Sequence, residues 1–311
     1  VKYDYIVAAP GQGSQKPGVL DGWMDRSRTA RRQVEEWSSR CGVNLIDASR
    51  DDEKLKDTAF AQPVIVAASL LSVRQTVRYL GTSSEVILFA GHSVGELAAA
   101  AAAGYITDAD AVFLACVRGA AMSAACTEPR TGMAAVMPAR RDPASDEEIQ
   151  QTIHDAGLEI ANWNGCHQYV AAGRYERIKA LAEQEHNGVR VVTLPVAGAF
   201  HTSTMEPVVT VFEKALSDTE FRDAGTALVG NGDGEVVTKA ADVRSRLLTQ
   251  VTSPVRWDLC MRTLNKQAKD ATFIELAPRG PLTRLYRGTY PDTTCVPVSR
   301  PEDLAVFNML G

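Results

Sequence analysis

The sequence predicts an α/β protein in which a large α/β domain is interrupted by a smaller one. Three observations carry that expectation. Short apolar runs alternate with helical stretches in the first part of the chain, a strand–helix–strand–strand–helix–strand order replaces them near Glu128, and helices and strands of the first kind follow residue 197. At 311 residues the chain exceeds the usual single-domain size, which suits two units.

Taken in order, "YDYIVAAP" reads as a strand running into the glycine-rich loop "GQGSQKPG", and a polar helical region extends to about Arg40. "AQPVIVAASLLSVRQTVRYLG" is a strong helix ending at Gly81; "EVILFA" is a short strand, and "VGELAAAAAAG" is a helix stopped by Gly104. "TDADAVFLACVRGAAMSAAC" is another helix, with Thr107 or Asp108 as its N-cap. Beyond Glu128 come strand "GMAAVM", helix "SDEEIQQTIHDAG", strands "LEIANWN" and "QYVAAG", helix "RYERIKALAEQEHNG" and strand "VRVVTLPV". That βαββαβ order is ferredoxin-like, and Ser145 with Glu148 has the spacing of a capping box. Residues 129–197 are therefore expected to form the small domain, with 1–128 and 198–311 forming the large one. Helix "TMEPVVTVFEKALSDT", strand "ALVGN" and a helix-and-strand tail close the large domain.

Composition narrows the function. Hydrophobic residues make up 45% and charged residues 23%, as in ordinary globular proteins with a substantial core. A net charge of -5 gives no support to binding nucleic acid or an anionic membrane. The six cysteines, at 41, 116, 126, 166, 260 and 295, form no CxxC pair, so neither a zinc site nor a disulfide framework is expected. A reduced, cytoplasmic protein without a metal fits better. "VKYDYIVAAPGQG" is too short and too polar for a signal segment, and the longest apolar run, around the alanines, falls short of a membrane span.

The sharpest feature is "FAGHSVGELAAAAAAG", residues 89 to 104, which matches G-x-S-x-G as Gly91, His92, Ser93, Val94 and Gly95. A serine on a sharp strand-to-helix turn, flanked by glycines that permit close approach, is the nucleophile elbow of α/β-hydrolase-like folds. The large domain is expected to be of that kind. The turn sets Ser93 at a helix N-terminus, where an oxyanion would meet the N–H of Val94. The alternative is a tight turn whose serine only caps a helix.

A serine nucleophile needs a base. His154 and His186 lie in polar helices, His167 in a loop of the small domain, and His92 adjoins the nucleophile and should line the site. His201 stands in "LPVAGAFHTSTMEP", where the chain returns from the inserted domain, a position suited to face a cleft. A satisfied buried histidine is the other reading. Arg118 is the only charged residue in "AVFLACVRGAAMSAAC". A buried arginine needs an anion, supplied either by a fixed acid or by a ligand carboxylate. Met122, one turn on, shares its helix face. "PGQGSQ" lacks the Lys-Ser/Thr of a phosphate loop and the third glycine of a dinucleotide fingerprint, which turns its glycines toward oxyanion binding.

"PGQGSQ", "GHSVGE", "VRG", "GAFH" and "QVTSPVRW" occur in that order. Together they resemble malonyl-CoA:acyl carrier protein transacylases, across nearly the whole chain. The resemblance implies that Ser93 carries a malonyl ester, that His201 is the base in both half-reactions, and that Arg118 holds the malonyl carboxylate. It implies an oxyanion hole from the backbone N–H groups of Gln12 and Val94. Gln250 would orient His201 through its carbonyl, and Gln62, Asn162 and Met122 would shape the acyl pocket. The partners implied are malonyl-CoA and CoA, and an acyl carrier protein with its phosphopantetheine, with no bound cofactor; a monomer is the expectation. In related polyketide enzymes Tyr-Ala-Ser-His goes with methylmalonyl and His-Ala-Phe-His with malonyl, so Phe200 in Gly-Ala-Phe-His implies malonyl. One departure stands out: the family's Gly-Pro-Gly is Ala277-Pro278-Arg279-Gly280 here, and Arg279, Arg284 and Arg287 form either a basic patch for an acidic carrier or a solvated surface. A serine thioesterase or hydrolase, a discrete polyketide acyltransferase for another carboxylated unit, and a carrier-binding subunit without turnover are the rival readings.

Overall fold

The computed structural model describes residues 2–126 and 129–309. The expected division at 128/129 involves Glu128, which lies outside the described residues. β1 (Tyr5–Ala9) leads through the glycine-rich loop to α1 (Asp21–Asp25), α2 (Arg28–Cys41) and α3 (Leu45–Arg50), then to the long α4 (Thr58–Leu80). Asp57 caps α4 by accepting from the N–H of Ala59, and Gly81 ends it at φ 61°, a left-handed turn open to glycine. By length and composition α4 could cross a membrane, but 78% of its apolar window is buried inside the fold. α4 is therefore a core helix.

β2 (Ile87–Gly91) is buried throughout and turns directly into α5 (Gly95–Ala103), whose nine residues are all buried. The alanines have a packing reason: α5 is wedged among β1, β2, α4 and α6 (Asp108–Ala124), where larger side chains would overfill the space. The N-cap of α6 is Thr107, which accepts from the N–H of Asp110.

β3 (Thr131–Pro138), α7 (Asp146–Asp155), β4 (Glu159–Gly165), β5 (Gln168–Arg174), α8 (Tyr175–Glu183) and β6 (Val189–Thr193) follow in the expected succession. Their strands form an antiparallel sheet in the order β4-β5-β3-β6. Ile149 and Ile153 of α7 and Ile178 and Leu181 of α8 cover one face. The capping box of Ser145 and Glu148 is present in both directions.

The rest comprises α9 (Glu206–Ser217), β7 (Leu228–Val229), β8 (Val236–Val237), α10 (Ala240–Thr249), α11 (Trp257–Gln267), β9 (Thr272–Glu275), α12 (Leu282–Thr289) and β10 (Cys295–Pro297). These strands join β1 and β2 in a six-stranded sheet ordered β10-β9-β1-β2-β7-β8, parallel except for the β7–β8 pair. Both faces are buried: Val7, Phe89 and Ile274 face the cluster built on α4, α5 and α6, while Ile6, Leu88 and Phe273 face α11 and α12. Continuous apolar strands are what a two-sided parallel sheet requires. The four-stranded sheet is tied to the segment before α11, where Trp163 N–H donates to Val255 O at 2.9 Å and Val255 N–H to Ala161 O at 2.9 Å. This tie holds the four-stranded sheet over the C-terminal end of β2, where a ligand site is expected in such folds.

Candidate active site

The turn after β2 is crowded to the limit. A Cβ on Gly91 would lie 2.2 Å from the carbonyl carbon of Gly95, and one on Gly95 would lie 2.3 Å from the carbonyl oxygen of Ala9. Only glycine fits at either point. Between them Ser93 has φ 53°, a strained left-handed conformation for a residue with a side chain, which stands its hydroxyl clear of the helix start. Asn231, just past β7, holds this turn, accepting from Ser93 N–H at 2.7 Å through Oδ1 and donating through Nδ2 to Gly91 O.

Ser93 Oγ lies 2.7 Å from His201 Nε2, and His201 Nδ1 lies 2.9 Å from the backbone oxygen of Gln250. The carbonyl can only accept, so Nδ1 carries the proton and Nε2 is left to accept from the serine. Burial, followed by the positive charge of Arg118, pushes the imidazole pKa down to about 3, so the ring is neutral throughout the physiological range. His201 also has positive φ, 60°, which turns its ring back toward the elbow from the segment leaving the small sheet. Among the described residues no hydrogen bond within the protein uses the N–H of Gln12 or of Val94.

Arg118 is buried, 1% exposed, in α6. Its Nη1 donates to Gln62 Oε1 at 2.8 Å and its Nη2 to Gln250 Oε1 at 2.9 Å. Among the described residues it makes no salt bridge, so the fixed-acid alternative has no direct partner here. Burial lowers its pKa only to about 10, and it stays a cation at neutral pH. Glu96 and Gln250 complete this buried layer, and Glu96 accepts from the N–H of Asn231 at 3.1 Å.

Above lies a cavity of about 670 Å³, lined by Gln12, His92, Ser93, Asn162, Phe200 and His201 among others and roofed by Met133, Ala135 and Val192 of the small sheet. Gly198 is needed beside Phe200, since a Cβ there would lie 2.6 Å from the ring. His92 points away from Ser93, with Nε2 3.0 Å from Asn164 Oδ1 and its ring edge against Trp257. Lys16, Arg190, Arg279 and Arg284 also line the cavity, and among the described residues no acidic side chain does.

The cavity lining does not include Gln62, Met122, Val94, Arg118 or Gln250. Gln62 and Met122 were expected in the acyl pocket. Gln62 accepts from Arg118 through its carbonyl, and its amide lies 3.3 Å from Met122 Sδ. Arg287, expected with Arg279 and Arg284, turns away and donates to Cys295 O. His154 is exposed, His167 is exposed in a turn against Asp146, and His186 pairs with Leu181 O, so none approaches the serine. Glu96, Asn231 and Asn164 are further polar groups of the site for which the sequence carries no expectation. Glu96 had the same signal as Arg118, a lone charge in an apolar helix.

A strained serine on an elbow, hydrogen-bonded to a neutral histidine, and a buried cation occur together in a chain of the acyltransferase class. The acyl transferase domain family matches residues 7–307 of the chain. The malonyl CoA-acyl carrier protein transacylase of Mycobacterium tuberculosis (strain ATCC 25618 / H37Rv) is 39% identical over 298 residues, 95% of this chain and 96% of that protein. The crystal structure of MCAT from Mycobacterium tuberculosis superimposes with a TM-score of 0.90 at 38% identity, covering 96% of this chain and 98% of that one. The acyl-carrier-protein-S-malonyltransferase from Bartonella henselae gives 0.88 at 28% identity, with 98% of each chain covered. The chain belongs to the acyl transferase family, among the malonyl CoA-acyl carrier protein transacylases.

Proposed function

We propose that this chain moves a malonyl group from coenzyme A to the phosphopantetheine thiol of an acyl carrier protein, through an ester on Ser93. The observation that carries the reading is the continuous chain Ser93 Oγ, His201 imidazole, Gln250 carbonyl, with the cationic Arg118 on the same glutamine. Ser93 Oγ attacks the thioester carbonyl carbon while His201 Nε2 takes its proton. The tetrahedral oxyanion accepts from the N–H groups of Gln12 and Val94. The carbon–sulfur bond then breaks, and CoA leaves with the proton returned by the imidazolium. In the second half His201 takes the proton of the carrier thiol, sulfur attacks the ester carbonyl, and Ser93 recovers its hydroxyl.

Arg118 selects the acyl group by its charge. Among the described residues two of its five N–H donors are used, which leaves donors for a carboxylate. Phe200 beside the base limits branching at the acyl carbon next to the thioester, which favours malonyl over methylmalonyl. The cations Lys16, Arg190, Arg279 and Arg284 in the lining suit the phosphates of CoA and of the prosthetic group, and Asn162 and His92 line the same cavity. We also read the four-stranded unit, residues 129–197, as a ferredoxin-like domain set into an α/β-hydrolase-like one made of 1–128 and 198–311. The strand order β4-β5-β3-β6 supports this. The free state of all six cysteines suits a cytoplasmic setting.

A hydrolase is less well supported. His201 is oriented by a carbonyl rather than an acid, and a buried cation waits for a charged acyl tail. The test is transfer of labelled malonyl from malonyl-CoA to a holo-carrier protein. Carrier-dependent label is expected; release of free malonate at the same rate without the carrier would overturn the reading.

A further inference from the structure

Glu96 is a buried carboxylate, 2% exposed, that the transfer steps leave unused. It lies in the first turn of α5, beneath the serine. Its Oε1 accepts from Asn231 N–H at 3.1 Å, and its Oε2 accepts from Gln250 Nε2. The other end of that same amide, Gln250 Oε1, accepts from Arg118 Nη2 at 2.9 Å. One side chain thus bridges two opposite charges, its amino end on the anion and its carbonyl end on the cation. Nε2 also lies 3.0 Å from Ser93 O, a second acceptor on the same side. Turned over, the amide would set its N–H groups against the guanidinium and its oxygen against the carboxylate, losing both charge-assisted bonds.

We propose that Glu96 is a positioning residue for the carboxylate clamp: its charge fixes the orientation of the Gln250 amide, which in turn holds the Arg118 guanidinium ready for the acyl carboxylate. The inference rests on Arg118 being that clamp. The arrangement answers a difficulty in any such site. A carboxylate in direct contact with Arg118 would compete with the substrate, whereas one placed behind an amide steadies the cation without occupying it. Protonating Glu96 weakens the constraint, because a carboxylic acid O–H is satisfied by the amide oxygen of the reversed Gln250 and only the guanidinium then favours the original orientation. Burial raises the Glu96 pKa to about 7, against the pull of Asn231 N–H, the Gln250 amide, Arg246 of α10 and Arg118 of α6; the Cys260 thiol of α11 faces it as well.

The experiment compares kcat/KM for malonyl-CoA and acetyl-CoA, the second lacking the carboxylate. In Glu96→Gln the malonyl-to-acetyl ratio should fall about tenfold, the size of a misplaced hydrogen bond to a charged group, mainly through the KM for malonyl-CoA. In the unaltered enzyme the ratio should rise with pH between about 6 and 8, and in Glu96→Gln it should be flat there. A Glu96→Gln ratio equal to that of the unaltered enzyme, or both substrates slowed in parallel, overturns the proposal. Should that variant fail to fold, the unaltered enzyme decides: a ratio independent of pH overturns it. Arg118→Ala separates the two readings. A ratio that collapses there but not in Glu96→Gln removes only the role of Glu96, and a ratio that survives in Arg118→Ala removes the clamp and this inference with it.

Discussion

A histidine held at a pKa of about 3 is a weak base, and one cause of that weakness is Arg118. On the proposed mechanism, the imidazolium that forms as Ser93 attacks shares a buried site with a guanidinium. A carboxylate on Arg118 cancels that charge, so the acyl tail that is selected also makes its own base stronger. Arg118→Ala should therefore lower kcat/KM for malonyl-CoA by about 10- to 100-fold or more, while acetyl transfer holds or rises, since the repulsion goes with the side chain. Steady-state kinetics with both thioesters checks this; unchanged malonyl turnover counts against the clamp. Phe200→Ser should narrow the malonyl preference over methylmalonyl, a methyl group being worth about 1–3 kcal/mol in a pocket. Equal ratios before and after would show that the ring does not set the choice. Ser93 was legible from its flanking glycines and Arg118 from its isolation in an apolar helix. Asn231 was not: it stands past a two-residue strand, and its contacts are with residues some 140 positions earlier.

At the scale of elements, the elbow is the part with least freedom. β2 and α5 meet at a turn with no room for one extra methyl group, because Gly95 packs on the backbone of β1. Gly95→Ala should destabilise the protein by about 1–3 kcal/mol through overpacking and shift Ser93 away from His201, so stability and acylation fall together. Denaturant unfolding and acylation rate measure the two; an intact rate would mean the turn relaxes without moving the hydroxyl. Long periodic segments such as α4 and the capping-box helix α7 were readable because their signals are local. β8 was not read, because two residues carry no periodicity and its place comes only from pairing with β7.

For the whole molecule, element order was legible and strand order was not. β1 pairs with β2 more than 80 residues on and with β9 some 267 residues on, adjacencies that no local pattern encodes. The same long-range assembly buries titratable groups, and pH should read it out. His201 is shifted down from 6.5, so its contribution to stability is complete above that value and is lost as pH falls through about 3, where the buried ring must take a proton. Glu96 is shifted up, so its contribution is complete below 4.5 and is lost as pH rises through about 7. His201→Gln should flatten the loss of stability on the acid side, measured by denaturant unfolding across pH; an unchanged acid limb would mean the ring is not held neutral. The cavity lining is a property of the assembled molecule too, drawing Lys16, Arg190, Arg279 and Arg284 from distant segments. Reversing Arg279 and Arg284 to Glu should raise the KM for the carrier protein, and an unchanged KM would place the docking surface elsewhere.

On the proposed mechanism Ser93, activated by His201, holds the acyl group between its two carriers. Intact-protein mass spectrometry after incubation with malonyl-CoA tests it most directly. One added malonyl group is expected, mapped to the peptide containing Ser93, absent in Ser93→Ala and discharged by holo-carrier protein. An adduct that persists in Ser93→Ala, or carrier loading with no adduct at any time, would contradict it.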